Sequence, residues 1–287
     1  MFLFEVGDLA SSKLSTDDEE MKQINIRKGS LTVVGTGITA RFHISAEAIA
    51  ALKYADQVLY LVSDDLTERW IRKLKPTSRS LANCYDESKD RIDSYTEMVQ
   101  IILDEVRKGR RVCAAFYGHP GVGVYPSREA IRIARVEGFE ARMQPGISAK
   151  DCLFADLGID PLDYGCQSFE ATDFVLHKRV FEPRSDLILW QVGVLANCNY
   201  KASGMYDLQY IPVLQEMLMV HYPPSHQVIL YAAATVSFAR PEIRRMQLRQ
   251  LSKSSFHGGY TMYVPPMPQT KPDPGVIERL GLQEDAR

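Results

Sequence analysis

The chain has 287 residues, 45% of them apolar and 24% charged, enough for two domains or one large one with a substantial core. A formal net charge of −2 supplies no overall positive field and argues against nucleic acid as a partner. The 5 cysteines, at 84, 113, 152, 166 and 198, lack metal-ligand spacing, and no apolar run approaches the ~18 residues that span a bilayer, so a cytoplasmic, soluble protein with reduced thiols, no metal and no membrane partner is expected.

Residues 1–29 read as an N-terminal extension. Its start, MFLFEVGDL, is interrupted by Glu5 and Asp8 and lacks a basic leading region, which makes a poor signal peptide. Asp17, Asp18, Glu19 and Glu20 follow as an acidic cluster, and a loosely docked tail is the plainer expectation. Leu31 to Val34 then reads as an apolar strand running into Gly35-Thr36-Gly37. Ser45 is placed to cap a helix reaching about Tyr54, with Glu47 in its first turn, where the helix dipole favours a carboxylate. Gln57 to Val62 reads as a second buried strand and Leu66 to Leu74 as a short helix. A longer helix is predicted over Ser88 to Lys108, because Ile92, Tyr95, Val99, Ile102 and Val106 recur at helical spacing; Gly109 stops it. Arg111 to Tyr117 reads as a strand entering the loop Gly118-His119-Pro120-Gly121-Val122. A helix over Ser127 to Glu137 follows, and a strand over Glu140 to Met143 leads into Pro145-Gly146-Ile147-Ser148-Ala149. This alternation predicts an α/β domain over residues 30–147, a mostly parallel sheet with helices on both faces. Beyond it, strands are predicted at Asp186 to Val192, Gln227 to Tyr231 and Gly259 to Val264, with a helix near Tyr210 to Val220. Strict alternation fades there, which predicts a mixed α+β domain over residues 148–287.

Three glycine-bearing turns are candidates for ligand binding. Gly35-Thr36-Gly37-Ile38-Thr39-Ala40 fits the dinucleotide fingerprint, and Asp64 and Asp65 follow the second strand, where a ribose-binding acid would lie. A dehydrogenase is the rival this turn suggests. Against it, a tight strand-to-helix turn needs glycine whatever it binds. Thr39-Ala40-Arg41-Phe42 also separates the glycines from the helix N-terminus that should hold a pyrophosphate. The other two turns stand at C-terminal strand ends, where open α/β sheets bind ligands. Each alone could be an ordinary turn; two at consecutive strand ends argue for a cleft. Arg91 and Tyr95 leave the same helix face, with Tyr85 just before them. Spacing alone reads them more simply, as a solvated charge and a member of the apolar stripe.

Taken together, the Gly-x-Gly strand end and the loops 118–122 and 145–149 resemble the tetrapyrrole (precorrin) methylase superfamily. Within it, Tyr117-Gly118-His119-Pro120-Gly121-Val122, Pro145-Gly146-Ile147-Ser148-Ala149 and the run from Cys152 to Pro161 are similar to the borosin peptide α-N-methyltransferases. So are Arg91-Ile92-Asp93-Ser94-Tyr95 and Leu189-Trp190-Gln191-Val192-Gly193. The likeness runs from residue 30 to residue 283. It implies a two-domain, tetrapyrrole-methylase-like α/β fold with S-adenosyl-L-methionine in the cleft between the domains. The residues matching the family's cofactor positions are Tyr117, His119, Val122, Ser148, Ala149, Gln191, Tyr231, Ala233, Tyr260 and Thr261. Tyr260 stands where fungal members have a small hydroxylated residue.

The same resemblance implies that Tyr85, Arg91 and Tyr95 are catalytic; Ala82 stands where fungal members carry a further tyrosine. The chemistry suits these residue types. A peptide nitrogen is a poor nucleophile, because its lone pair is delocalised into the carbonyl. Methylation needs the N–H proton removed while negative charge gathers on the carbonyl oxygen. Arg91 is permanently positive and can hold that oxygen. Tyr95, its phenol made more acidic by Arg91, is expected to take the proton, and Tyr85 to donate to the carbonyl.

Relatives of this kind are homodimers that thread a peptide across a shared site. In fungal members the peptide is fused to the enzyme's C-terminus. The end of this chain, Gln283-Glu284-Asp285-Ala286-Arg287, does not resemble a core peptide, so a separate precursor peptide acting in trans is expected, two with each homodimer. Two alternatives remain at this point. A small-molecule tetrapyrrole C-methyltransferase would keep the loops but have no use for Tyr85, Arg91 and Tyr95. A non-catalytic peptide-binding protein could use the same scaffold.

Overall fold

The computed structural model describes residues 28–282, so the acidic cluster at 17–20 lies outside the described residues. Ten strands form two five-stranded sheets. The first contains β1 (Ser30–Gly35), β2 (Gln57–Leu61), β3 (Arg79–Ser80), β4 (Arg111–Phe116) and β5 (Glu140–Met143), joined by α1 (Ala46–Tyr54), α2 (Asp65–Leu74), α3 (Arg91–Arg107) and α4 (Tyr125–Val136). Its order is β3-β2-β4-β1-β5, with every pair parallel. The period of two along each strand divides the core between the faces. Leu31, Val33, Val112, Ala114 and Phe116 meet Met98, Ile102 and Val106 of α3 and Ala130 and Ala134 of α4. Val34, Val58, Tyr60, Cys113 and Ala115 meet Ala48 and Leu52 of α1 and Ile71 of α2 on the opposite face. Parallel strands covered on both faces are buried throughout, which is why they read as apolar runs.

The second sheet has the order β6-β7-β10-β8-β9, formed by β6 (Cys166–Glu170), β7 (Asp186–Trp190), β8 (Gln227–Ala232), β9 (Glu242–Gln247) and β10 (Thr261–Val264). Only β6 and β7 pair in parallel; the other pairs are antiparallel. One face carries Leu187, Leu189, Leu230 and Met262 against Phe174 of α6 (Ala171–Leu176) and Leu214 and Leu218 of α7 (Ile211–Met219). The other carries Ile188, Ile229, Tyr231 and Tyr263 against Leu153 of α5 (Ala149–Leu157). The expected division at 147/148 falls between the first sheet's last strand and α5. A short α8 (Pro274–Leu280) ends the described chain. Among the described residues no helix is long and apolar enough to cross a membrane.

Several sequence expectations need correction. Helix α3 begins at Arg91, not Ser88, so Arg91 is its first residue. Its buried side is Ser94, Met98, Val99, Ile102, Leu103 and Val106, whereas Ile92, counted in the apolar stripe, is 49% exposed. The strand expected to reach Val192 ends at Trp190, because Gln191 takes φ +57°. Helix α5 and strands β6 and β9 carry no strong periodic signal and were not anticipated.

The glycines of the supposed dinucleotide turn are committed to packing. A Cβ on Gly35 would lie 2.3 Å from the Gly118 carbonyl oxygen, 2.8 Å from Pro120 Cδ and 3.0 Å from Gly146 Cα. Gly35, Gly118 and Gly146 thus let the ends of β1, β4 and β5 touch backbone to backbone, leaving no cradle for a pyrophosphate. Asp64, the expected ribose ligand, instead caps α2, accepting from the Thr67 N–H at 2.8 Å. Both observations count against a dehydrogenase.

Candidate functional site

Two neighbouring cavities lie where the halves of the chain meet. The halves are joined by backbone bonds: Ala40 N–H to the Thr235 carbonyl at 2.8 Å, and Arg91 N–H to the Cys198 carbonyl at 3.0 Å. The smaller cavity, about 290 Å³, is lined by Tyr117, Ala149, Tyr231, Ala233 and Thr261, with Ser63, Thr235, His257 and Gly259. The larger, about 630 Å³, is lined by Tyr85, Arg91, Tyr95, Gln191, Tyr200 and Tyr206, with the segment 201–205 and again His257 and Gly259. His257 and Gly259 therefore border both.

Five of the ten residues expected at the cofactor line the smaller cavity. Tyr117 follows β4, Ala149 opens α5, Tyr231 and Ala233 lie at the end of β8, and Thr261 begins β10. Burial pushes the Tyr117 phenol up to about 12. It raises Tyr231 as well, and the hydrogen bond from Tyr231 Oη to Asp156 Oδ2 at 2.6 Å adds to that. Both rings enter the cavity as neutral phenols.

The other five stand differently. Gln191 lines the larger cavity. His119 Nδ1 accepts from the Gly121 N–H at 2.9 Å, bracing its own loop. Val122 is exposed on that loop. Ser148 forms a capping box on α5, its Oγ 2.7 Å from Asp151 Oδ2. Its part is to fix the helix N-terminus that brings Ala149 to the cavity. Tyr260 is buried against Phe256 and His257 and donates its hydroxyl to Glu242. Its ring lies in the second sheet's core, so only its neighbour Thr261 reaches the cavity.

The three expected catalytic residues do come together. Tyr85 and Tyr95 meet edge to face, ring centroids 6.3 Å apart. Arg91 and Tyr85 both lie near enough to Tyr95 to act on its phenol, Arg91 through its positive charge. The guanidinium also donates through Nη2 to the Asn199 carbonyl and to Tyr206 Oη, each at 3.2 Å. The expectation that Arg91 makes Tyr95 acidic is corrected. Burial raises the Tyr95 phenol, and the lowering by Arg91 and by Tyr85 does not overcome it. Tyr85 is raised by burial and then by Tyr95. Tyr95 is still the better placed of the two to carry charge, since the Arg91 charge is the first influence on its phenol after burial.

Sequence reasoning missed the opposite wall. Tyr200 stacks on Tyr85 at 4.3 Å between centroids, and Tyr125, at the start of α4, stacks on Tyr95 at 6.1 Å. Tyr200 and Tyr206 lie on an irregular strap held by Glu87, whose Oε1 accepts from the Ala202 N–H at 2.8 Å. On its far side the Gly258 N–H donates to the Gly204 carbonyl at 2.8 Å. A Cβ on Gly193 would sit 2.1 Å from the His257 carbonyl oxygen, and one on Gly258 would sit 2.8 Å from Tyr206 Cε2. Gly258-Gly259 beside a histidine was the one local signal for this wall.

The fold and site define an α/β protein with a small-molecule cleft between two sheets, opening onto a chamber of phenols around one guanidinium. The family model for tetrapyrrole (corrin/porphyrin) methylases matches residues 30–251, and the chain belongs to that family. It is 39% identical over 258 residues to a methyltransferase/ribosomally synthesized cyclic peptide gymnopeptides precursor of Gymnopus fusipes, covering 88% of this chain and 61% of that protein. It is 38% identical over 260 residues to the corresponding omphalotin A precursor of Omphalotus olearius, covering 89% and 62%. The chain thus spans less than two thirds of the length of these relatives. Among solved structures, a cobalt precorrin-4 methyltransferase superposes with a TM-score of 0.58 at 19% identity, over 82% of this chain and 94% of that one. A uroporphyrin-III C-methyltransferase of Thermus thermophilus gives 0.56 at 19% identity, over 83% and 92%. These two share the fold.

Proposed function

We propose that this protein is an S-adenosyl-L-methionine-dependent methyltransferase that methylates backbone amide nitrogens of a ribosomally made peptide, one residue after another. The observation that carries the reading is the position of Arg91. It stands between the phenols of Tyr95 and Tyr206, in a chamber that shares His257 and Gly259 with the smaller cavity.

The smaller cavity suits the cofactor chemically. The N-terminus of α5 opens at Ala149 and favours a carboxylate. Ser63, Thr235 and Thr261 offer hydroxyls to a ribose, and the Tyr117 and Tyr231 rings offer apolar and π surface to adenine and to a cation. When bound, the cofactor supplies an electrophilic methyl group on a sulfonium.

The chain's own residues then prepare the nucleophile. Arg91 holds the carbonyl oxygen of the target amide and stabilises the charge that gathers there. Tyr95, once ionised, takes the amide proton on Oη; the electron pair left behind is shared between nitrogen and oxygen. The rings of Tyr200 and Tyr125, stacked on Tyr85 and Tyr95, hold those phenols in place. What remains is positional: the nitrogen must be held about 3 Å from the methyl, in line with the bond that breaks.

The test is incubation with the cofactor and a separately supplied precursor peptide, read by tandem mass spectrometry. The reading requires successive gains of one methyl on backbone nitrogens, with the enzyme's own mass unchanged. That result also marks the trans arrangement. Methyl transfer to a tetrapyrrole carbon, with peptides untouched, would replace it. Sedimentation of the same preparation, with and without peptide, tests the homodimer and its two-peptide complex.

A further inference from the structure

The guanidinium of Arg91 has a phenol on either side, and only one of them was legible in the sequence. Tyr206 Oη accepts from Arg91 Nη2 at 3.2 Å and from the Lys201 backbone N–H at 3.1 Å. A phenol oxygen has two acceptor positions and a single proton to give. With both acceptor positions filled, that proton is left for a third partner, and Tyr206 lines the chamber where one would sit. Among the described residues no protein acceptor takes it.

The ring is held as firmly as the hydroxyl. It stands against Gly258, where a Cβ would come within 2.8 Å of Cε2, and the Arg91 guanidinium carbon lies 5.6 Å from its centroid. A donor fixed in this way needs no reorganisation when charge develops in front of it. Among the described residues Tyr85 is held by its ring, against Tyr95 and Tyr200, with no hydrogen bond that fixes the direction of its hydroxyl.

We propose that Tyr206 is a catalytic residue whose hydroxyl, with Arg91, forms a two-donor site for the carbonyl oxygen of the amide being methylated. The inference rests on the amide N-methylation reading and moves the carbonyl-donor role from Tyr85 to Tyr206. The amide proton goes to Tyr95 Oη, and the electron pair it leaves is drawn toward the carbonyl oxygen. Tyr206 keeps its own proton throughout.

Tyr206→Phe keeps the ring against Gly258 and Arg91 and removes only the hydroxyl. On a separately supplied peptide, kcat should fall about a hundredfold. Peptide KM, cofactor affinity by calorimetry and melting temperature should stay near wild type. A peptide with a thioamide at the reacting position separates direct donation from support of Arg91, since sulfur is the weaker acceptor. If the hydroxyl touches the carbonyl, Tyr206→Phe and the thioamide delete the same bond, and their losses are far from additive. A wild-type kcat in Tyr206→Phe, or fully additive losses, would overturn the assignment while leaving amide methylation intact. Failure of the wild-type protein to methylate any peptide nitrogen would sink both.

Discussion

The two cavities that share His257 and Gly259 are built on opposite principles. The smaller one is framed by backbone: Tyr117 enters it from beside three strand ends pressed together through Gly35, Gly118 and Gly146, and Ala149 from a helix N-terminus fixed by the Ser148 capping box. The larger one is made of side chains, four tyrosines around one arginine, gathered from α3, the connection before it and an irregular strap, with Tyr125 of α4 stacked on Tyr95. A site framed by backbone tolerates little change where chains touch, whatever groups its side chains offer. A side-chain site fails when one atom is removed, though its fold survives.

That contrast can be broken experimentally, and the largest effect should come from the backbone side. Gly35→Ala places a Cβ against carbonyl oxygen and proline ring with no flexible side chain to yield. It should abolish cofactor binding by calorimetry and lower the melting temperature sharply. Retained affinity would show that the three strand ends are looser than described. Arg91→Ala should do the reverse. Methyl transfer falls about 10²–10³-fold or more, while cofactor affinity stays near wild type, and an accompanying loss of that affinity would mean the cavities are not separable.

The acidity of Tyr95 gives the next largest effect. Burial holds its phenol above the ordinary value of 10.0, so at neutral pH it is protonated and only a small ionised fraction can accept the amide proton. That fraction grows tenfold per pH unit until the raised pKa is reached. The rate of methyl transfer should therefore climb with unit slope from about pH 7 towards about pH 10, without a plateau. A pH-independent rate over that range would remove Tyr95 as the base. Ser148→Ala should have the smallest effect. Loss of the capping box costs about 1 kcal/mol, seen as a small drop in melting temperature and a few-fold weaker cofactor binding. An unchanged melt would mean the α5 cap contributes nothing to the cavity.

The same contrast explains what was legible. Buried parallel strands, the Ser45 cap and the glycine turns are local, so the first sheet and the loops flanking the smaller cavity could be read from residues a few positions apart. The direction of a side chain within those loops was less legible. His119, Ser148 and Tyr260 lie next to the cavity in sequence but spend their polar groups on Gly121, Asp151 and Glu242. Tyr200 and Tyr206 were invisible for a different reason. They sit on a segment without periodicity, and what brings them to the chamber is contact with residues more than a hundred positions away, Tyr85 and Arg91. The acidity assigned to Tyr95 went astray because a neighbouring charge can be read from spacing, whereas burial cannot.

The most direct test of the central claim, that Arg91 and its phenols face the reacting amide, is a crystal structure with S-adenosylhomocysteine and a precursor peptide. The account requires a backbone carbonyl on the Arg91 guanidinium, with the adjoining nitrogen turned toward the sulfur across the His257–Gly259 border. A peptide bound elsewhere, or a guanidinium turned away from the cofactor into solvent, would contradict it.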